Sequence, residues 1–231
     1  MTKEPRCIHR HTIKYHPGCF AKGLIKLTQT KEEYSDEKDF IKKTGGEWYE
    51  YPGNSMCFLD IESDGLKADF STMLTWAIKA KDGPVISDII TKEELFNGLI
   101  DRRIVKSCVE ELKKYRIVCS YFGKGFDLPF LRSKAFHYGL DFPDYGEIYH
   151  FDLYYWVKSK FNLARKSLDS ITDYLGIKGK TPLDKDVWRR GKYGDPEAIQ
   201  QILVHNIQDC RILEALYNRI FKQVKGIKSS L

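Results

Sequence analysis

From Met56 onward the chain alternates short apolar runs with amphipathic ones, and that pattern predicts a layered α/β fold. MCFLDIE (56–62), MLTWAIKA (73–80) and VISDII (85–90) read as three strands, each short, apolar and bounded by turn formers. Thr91 and Glu94 have the spacing of a capping box, which opens a helix expected to continue to about Tyr115. RIVCSYF (116–122) predicts a fourth strand, followed by the glycine-containing turn FGKGF and a short helix beginning near Leu128-Pro129, with proline suited to a first turn. EIYHFDL (147–153) predicts a fifth strand. The remainder is mostly helical and closes on the long run DPEAIQQILVHNIQDCRILEALYNRIFKQV.

Several polar residues fall where this pattern calls for core. Side chains alternate across a strand, so Asp60 and Glu62 share one face at the end of an apolar run. Carboxylates in that position are costly to desolvate, and a divalent cation would remove the cost. In the last helix Ile202, Ile212, Leu213, Leu216 and Ile220 form one apolar stripe, and His205 and Asp209 lie on it, four apart and therefore neighbours. Asp127, after Gly123-Lys124-Gly125-Phe126, fits a helix N-cap, and equally an acid beside a turn that lets a phosphate approach the backbone, with Lys124 next to it. Asp152 fits a cap for the helix that follows it.

Charge and cysteine content refine this picture. A formal charge of +6, from 38 basic and 32 acidic residues, assists binding to a polyanion but describes a mixed surface rather than a basic tail. The basic residues Lys178, Lys180, Lys185, Arg189, Arg190 and Lys192, interleaved with Trp188 and Tyr193, precede the last helix and form a candidate grip on a nucleic-acid backbone. Gly179-Lys180-Thr181 is not a nucleotide-binding P-loop, since Tyr174 stands where the first glycine is needed. Six cysteines without a C-x-x-C pair fit a reduced, cytoplasmic setting, with Cys57 and Cys119 as core thiols. No run of about 18 apolar residues predicts a membrane span.

Residues 1–30 have a different character. Cys7, His11, His16 and Cys19 are separated by three, four and two residues, a spacing that suits a closed, structural tetrahedral Zn²⁺ site, with His9 as a substitute for His11. Residues 31–55 are charged, contain Gly45-Gly46 and Pro52-Gly53, and read as a linker to a main domain over 56–231.

Asp60-Ile61-Glu62, then Tyr121 to Phe130, then His205-Asn206-Ile207-Gln208-Asp209 resemble the three motifs of the DEDD exonuclease superfamily. The likeness is to ribonuclease-H-like domains of the YprB type and to the proofreading domain of family B DNA polymerases. It implies a mixed five-stranded sheet with flanking helices, preceded here by the small zinc segment. It also implies two Mg²⁺ or Mn²⁺ ions, one held by Asp60, Glu62 and Asp209, the second shared by Asp60 and Asp127. His205 would orient or deprotonate the attacking water, although it stands four residues before Asp209, where the family has tyrosine; the family's histidine stands five before. Lys124, Phe126, Lys180, Arg189 and Arg190 are the candidate substrate contacts. The expected activity is 3′-to-5′ exonucleolytic hydrolysis of DNA at single-stranded ends. RNA or structure-specific endonucleolytic cleavage on the same metals, or an idle nucleic-acid-binding module, are the alternatives.

Overall fold

The computed structural model describes residues 56–98, 100–145, 147–179 and 182–221, together with the backbone of three two-residue strands outside those ranges. Two of these, β1 (Arg6–Cys7) and β2 (Ile25–Lys26), pair antiparallel as a separate ladder. His9, His11, His16, Cys19, the side chain of Cys7, the linker over 31–55 and Lys180 lie outside the described residues.

The main sheet has β3 (Met56–Ser63) at its centre, antiparallel to β4 (Met73–Ala80) and parallel to β6 (Ile117–Ser120). Strand β5 (Val85–Ile89) extends it antiparallel beyond β4, and β7 (Tyr149–Asp152) runs parallel to β6 on the other side. All five expected strands are present. A sixth, β8 (Ser229–Ser230), pairs antiparallel with β7 and completes the order β5-β4-β3-β6-β7-β8. Two serines carry no strand signal of their own, which is why the sequence pattern predicts five.

Helices cover both faces. Under one face α2 (Arg102–Leu112) and α3 (Asp127–His137) set Ile104, Val105, Cys108, Leu112, Leu128 and Leu131 against Cys57, Leu59 and Ile61. On the other, α4 (Leu153–Lys160), α5 (Leu168–Tyr174) and the end of α7 (Pro196–Ile220) pack Leu153, Ile171, Leu213 and Tyr217 against Met56 and Phe58. Helix α6 (Lys185–Lys192) lies against α7. Cys57, Cys108, Cys119 and Cys210 are buried free thiols, and burial pushes each of them well above the ordinary thiol range, so none is a nucleophile. Among the described residues no helix is long and apolar enough to cross a membrane.

One expected element divides. The Thr91–Glu94 capping box is present and starts α1 (Lys92–Phe96), but that helix stops at Asn97, and α2 begins only at Arg102. Gly98 adopts φ +76° and Ile100 φ +39°, left-handed conformations that end a helix. The break frees Asp101 to turn inward. Its fully buried carboxylate accepts from Met73 N at 2.8 Å and from the Tyr138 hydroxyl, and pairs with Lys134 Nζ at 2.9 Å, so one acid ties β4 to α3. Lys134→Met would leave that charge without its counter-charge. It is expected to destabilise the fold by about 3 kcal/mol, measured as a fall in the urea midpoint at unchanged slope.

Candidate active site

Three segments deliver polar side chains to one end of the sheet. On β3 the alternation that sends Cys57, Leu59 and Ile61 under α2 and α3 turns Met56, Phe58, Asp60 and Glu62 toward α7. The β6 ladder ends with Phe58 opposite Cys119, and beyond it that edge of β3 is open. There Ile61 N donates to Asp127 Oδ1 at 3.0 Å, across 66 positions of sequence. Asp127 is therefore not an N-cap: Phe126 occupies that position, and Asp127 is the first residue of α3, buried against the strand that carries Asp60 and Glu62. Gly123 is needed for this approach, because a Cβ there would lie 2.1 Å from Ser120 Oγ and 3.3 Å from Asp127 Oδ2.

The third segment is α7. Asp195 caps it, accepting from Glu197 N and Ala198 N, and Pro196 fills its first turn. The predicted apolar stripe is buried, with His205 and Asp209 buried on it. His205 Nε2 lies 3.7 Å from Asp209 Oδ2 and 3.9 Å from Glu62 Oε1, and its ring stands perpendicular to that of Trp188, with centroids 6.3 Å apart. Asn206, which the sequence reading did not single out, is wholly buried and donates from Nδ2 to Asp60 Oδ2 at 2.6 Å. Its Oδ1 has no hydrogen-bond partner. The signal was available: Asn206 stands four after Ile202 and seven before Leu213, on the stripe itself.

Like charges crowd this space. Burial raises the Asp60 carboxyl well above the ordinary carboxylate range, the charges of Glu62, Asp127 and Asp209 raise it further, and the Asn206 bond partly opposes them. Asp127 is pushed up to about 7, chiefly by burial, against the lowering effect of the Ile61 amide. Among the described residues no three His, Cys, Asp or Glu side chains are drawn together tightly enough to chelate one ion as they stand. The donors are nevertheless carboxylate oxygens around a strongly disfavoured negative charge, the chemistry that a hard divalent cation suits.

The turn between β6 and α3 is held from below. Asp152 caps α4 through Tyr154 N at 3.0 Å, as expected, and also accepts from Phe122 N and Lys124 N, each at 2.9 Å. Beside the turn, a groove of about 320 Å³ runs between Leu66, Lys67, Ala68 and Asp69 of the β3–β4 loop and Gly125, Phe126, Pro129 and Phe130. Phe126 lines this groove, whereas Lys124 lies outside its lining, with Nζ 5.8 Å over the Tyr155 ring.

Arg189 and Arg190 are elsewhere. They line a second cavity of about 780 Å³ at the N-terminus of α7, which the helix rise puts roughly 20 Å from Asp209. Their charges are locally matched: Arg189 pairs with Asp186 at 2.5 Å, and Arg190 with Asp186 at 3.3 Å and Asp195 at 2.9 Å. Lys192 reaches back toward the site, 3.7 Å from Asp64.

Comparison with known proteins agrees with this geometry at the level of fold. No curated protein sequence matches the chain. A solved structure of the family B DNA polymerase from the hyperthermophilic archaeon Pyrobaculum calidifontis superposes with a TM-score of 0.60 at 20% identity, over 74% of this chain and 25% of the polymerase. The chain therefore corresponds to about a quarter of that enzyme's length. A family model matches residues 57–221, the whole sheet-and-helix unit apart from β8, and by that match the chain belongs to the RNase_H superfamily.

Proposed function

We propose that this protein is a metal-dependent 3′-to-5′ exonuclease that hydrolyses phosphodiester bonds of DNA at single-stranded ends. The observation that carries this reading is the company of Asp60: Glu62, Asp127 and Asp209, drawn from β3, the start of α3 and the distant α7, all bear on one buried carboxyl. Asp60, Glu62 and Asp209 would hold one Mg²⁺ or Mn²⁺, and Asp60 with Asp127 a second. When bound, such a pair supplies an activated water and a counter-charge for the leaving 3′ oxygen. His205, which lies 3.9 Å from Glu62 and 3.7 Å from Asp209, would orient that water or take its proton. The groove at Phe126 accommodates the terminal nucleotide, and Lys124 offers a charge to its phosphate. The neutralised Arg189 and Arg190 would contact the strand only at a distance from the acids, with Lys180 of the same basic cluster. The N-terminal residues Cys7, His11, His16 and Cys19 would hold a structural Zn²⁺ apart from this chemistry.

Asn206 acts here as a positioning residue for Asp60. Asn206→Ala is expected to raise the Mn²⁺ concentration needed for half-maximal activity by about 10- to 100-fold, measured by metal titration of the hydrolysis rate. An unchanged titration would remove Asn206 from the site.

The reading is tested by incubating end-labelled single- and double-stranded DNA and RNA with Mg²⁺ or Mn²⁺. Stepwise shortening of the single-stranded DNA from its 3′ end supports it. Internal fragments would indicate endonucleolytic cleavage, preferential loss of the RNA a ribonuclease, and tight binding without products an idle binding module.

A further inference from the structure

Phe122 is the one non-glycine residue of the turn between β6 and α3 with a left-handed backbone, at φ +67°. A bulky residue there is strained, and such strain persists only where the surroundings impose it. Asp152 imposes it, by binding Phe122 N and Lys124 N. Gly125 makes room for the result, since a Cβ at 125 would lie 2.4 Å from Phe122 Cζ. The ring so placed is not core: Phe122 is 43% exposed and Tyr155 of α4 is 41% exposed. The two rings are near parallel, 25° apart with centroids at 6.2 Å, and Tyr154 supports Phe122 edge-on at 5.0 Å. Lys124 Nζ stands 5.8 Å over the Tyr155 ring.

We infer that Phe122 and Tyr155 form a stacking ledge for an unpaired base, the one next to the terminal nucleotide of the strand being cut. The inference rests on the nuclease reading and names the feature that selects single strands. Gly125 connects the two surfaces, lining the groove next to Phe126 and lying against the Phe122 ring. A chain seated in the groove therefore passes directly onto the ledge, with Lys124 available to the intervening phosphate. Flat, half-exposed aromatic faces beside a lysine suit a nucleobase whose faces are free, and they accept any base because each has a π-face. A duplex end keeps its penultimate base stacked and paired, so the ledge favours a strand whose bases can turn outward.

The test compares two labelled single-stranded oligodeoxynucleotides with Mn²⁺, identical except that one lacks the base at the penultimate 3′ position. Wild type is expected to show a KM roughly tenfold higher on the abasic strand at similar kcat, in line with the loss of one base stack. Phe122→Leu and Tyr155→Leu, which keep apolar bulk without an aromatic face, are expected to erase that difference; Tyr155→Leu is the safer variant for folding, being on an exposed helix face. Equal KM values for both strands in wild type, or a preference retained in both variants, would overturn the ledge. Should wild type hydrolyse neither strand, the nuclease reading fails on its own, and the ledge is judged by binding an oligonucleotide carrying 2-aminopurine at that position. Quenching in wild type that Tyr155→Leu abolishes supports it, and its absence overturns it.

Discussion

Asp60→Ala is expected to lower phosphodiester hydrolysis by about a thousandfold or more, with Asp209→Ala close behind. Asp60 is the carboxyl on which the charges of Glu62, Asp127 and Asp209 all act, so its loss removes a donor that both cations would share. Lewis-acid assistance of this kind contributes several kcal/mol to transition-state stabilisation, and each ~1.4 kcal/mol is a factor of ten in rate. Asp209 approaches from α7 and adjoins His205, so its removal would disturb the proposed ligand set and the proposed base together. Rates measured with both variants at saturating Mn²⁺, alongside thermal melts to verify folding, decide the matter. Folded variants that keep rates within tenfold of wild type would mean that these acids do not carry the reaction.

The second large effect is on stability rather than rate. The folded-state pKa of Asp127 is about 7, above its ordinary 3.8, so the folded protein holds that proton more tightly than the unfolded chain. The stabilisation from the protonated form is fully present below about pH 4, declines as pH rises, and is gone above about pH 7. The shift corresponds to on the order of 4 kcal/mol. His150 slopes the other way. Burial lowers it to about 4, so the folded state gains stability as pH rises from 4 toward the imidazole's usual range. The difference between wild type and Asp127→Asn cancels the histidine. Asn keeps an oxygen for Ile61 N but cannot ionise, so in metal-free protein its melting temperature should exceed that of wild type by a margin that widens from pH 4 to pH 8. Added Mn²⁺ should shrink the margin at pH 8 by stabilising wild type. A margin that stays constant with pH would show that Asp127 does not titrate as its burial requires.

The parts of this architecture that were legible in the sequence are those written locally. The five strands, the Thr91 capping box, the Asp152 cap and the α7 stripe each depend on residues a few positions apart, and each is found where the pattern puts it. The resemblance of the three motifs singled out the acids, but their mutual charge coupling depends on a β3–α7 contact that no local pattern displays. What the local pattern does not display is instructive for the same reason. Asp127 carries the local signature of an N-cap, and only the open edge of β3, 66 residues away, explains its turning to Ile61 instead. The helix expected from Thr91 to Tyr115 is continuous by periodicity, yet Gly98 takes a left-handed conformation and the inward turn of Asp101 rewards the break. Arg189 and Arg190 look like free positive charge when bases alone are counted, whereas Asp186 and Asp195 match them in space.

The threefold grip of Asp152 has a consequence for how a ligand is received. Because one carboxylate fixes Tyr154 N, Phe122 N and Lys124 N together, the loop is already ordered before anything arrives. Little backbone freedom is left to be lost on docking, so association there should behave as a fit to a ready surface rather than as folding coupled to contact. Amide relaxation at positions 122–124 should accordingly be as restrained in the free protein as in the complex.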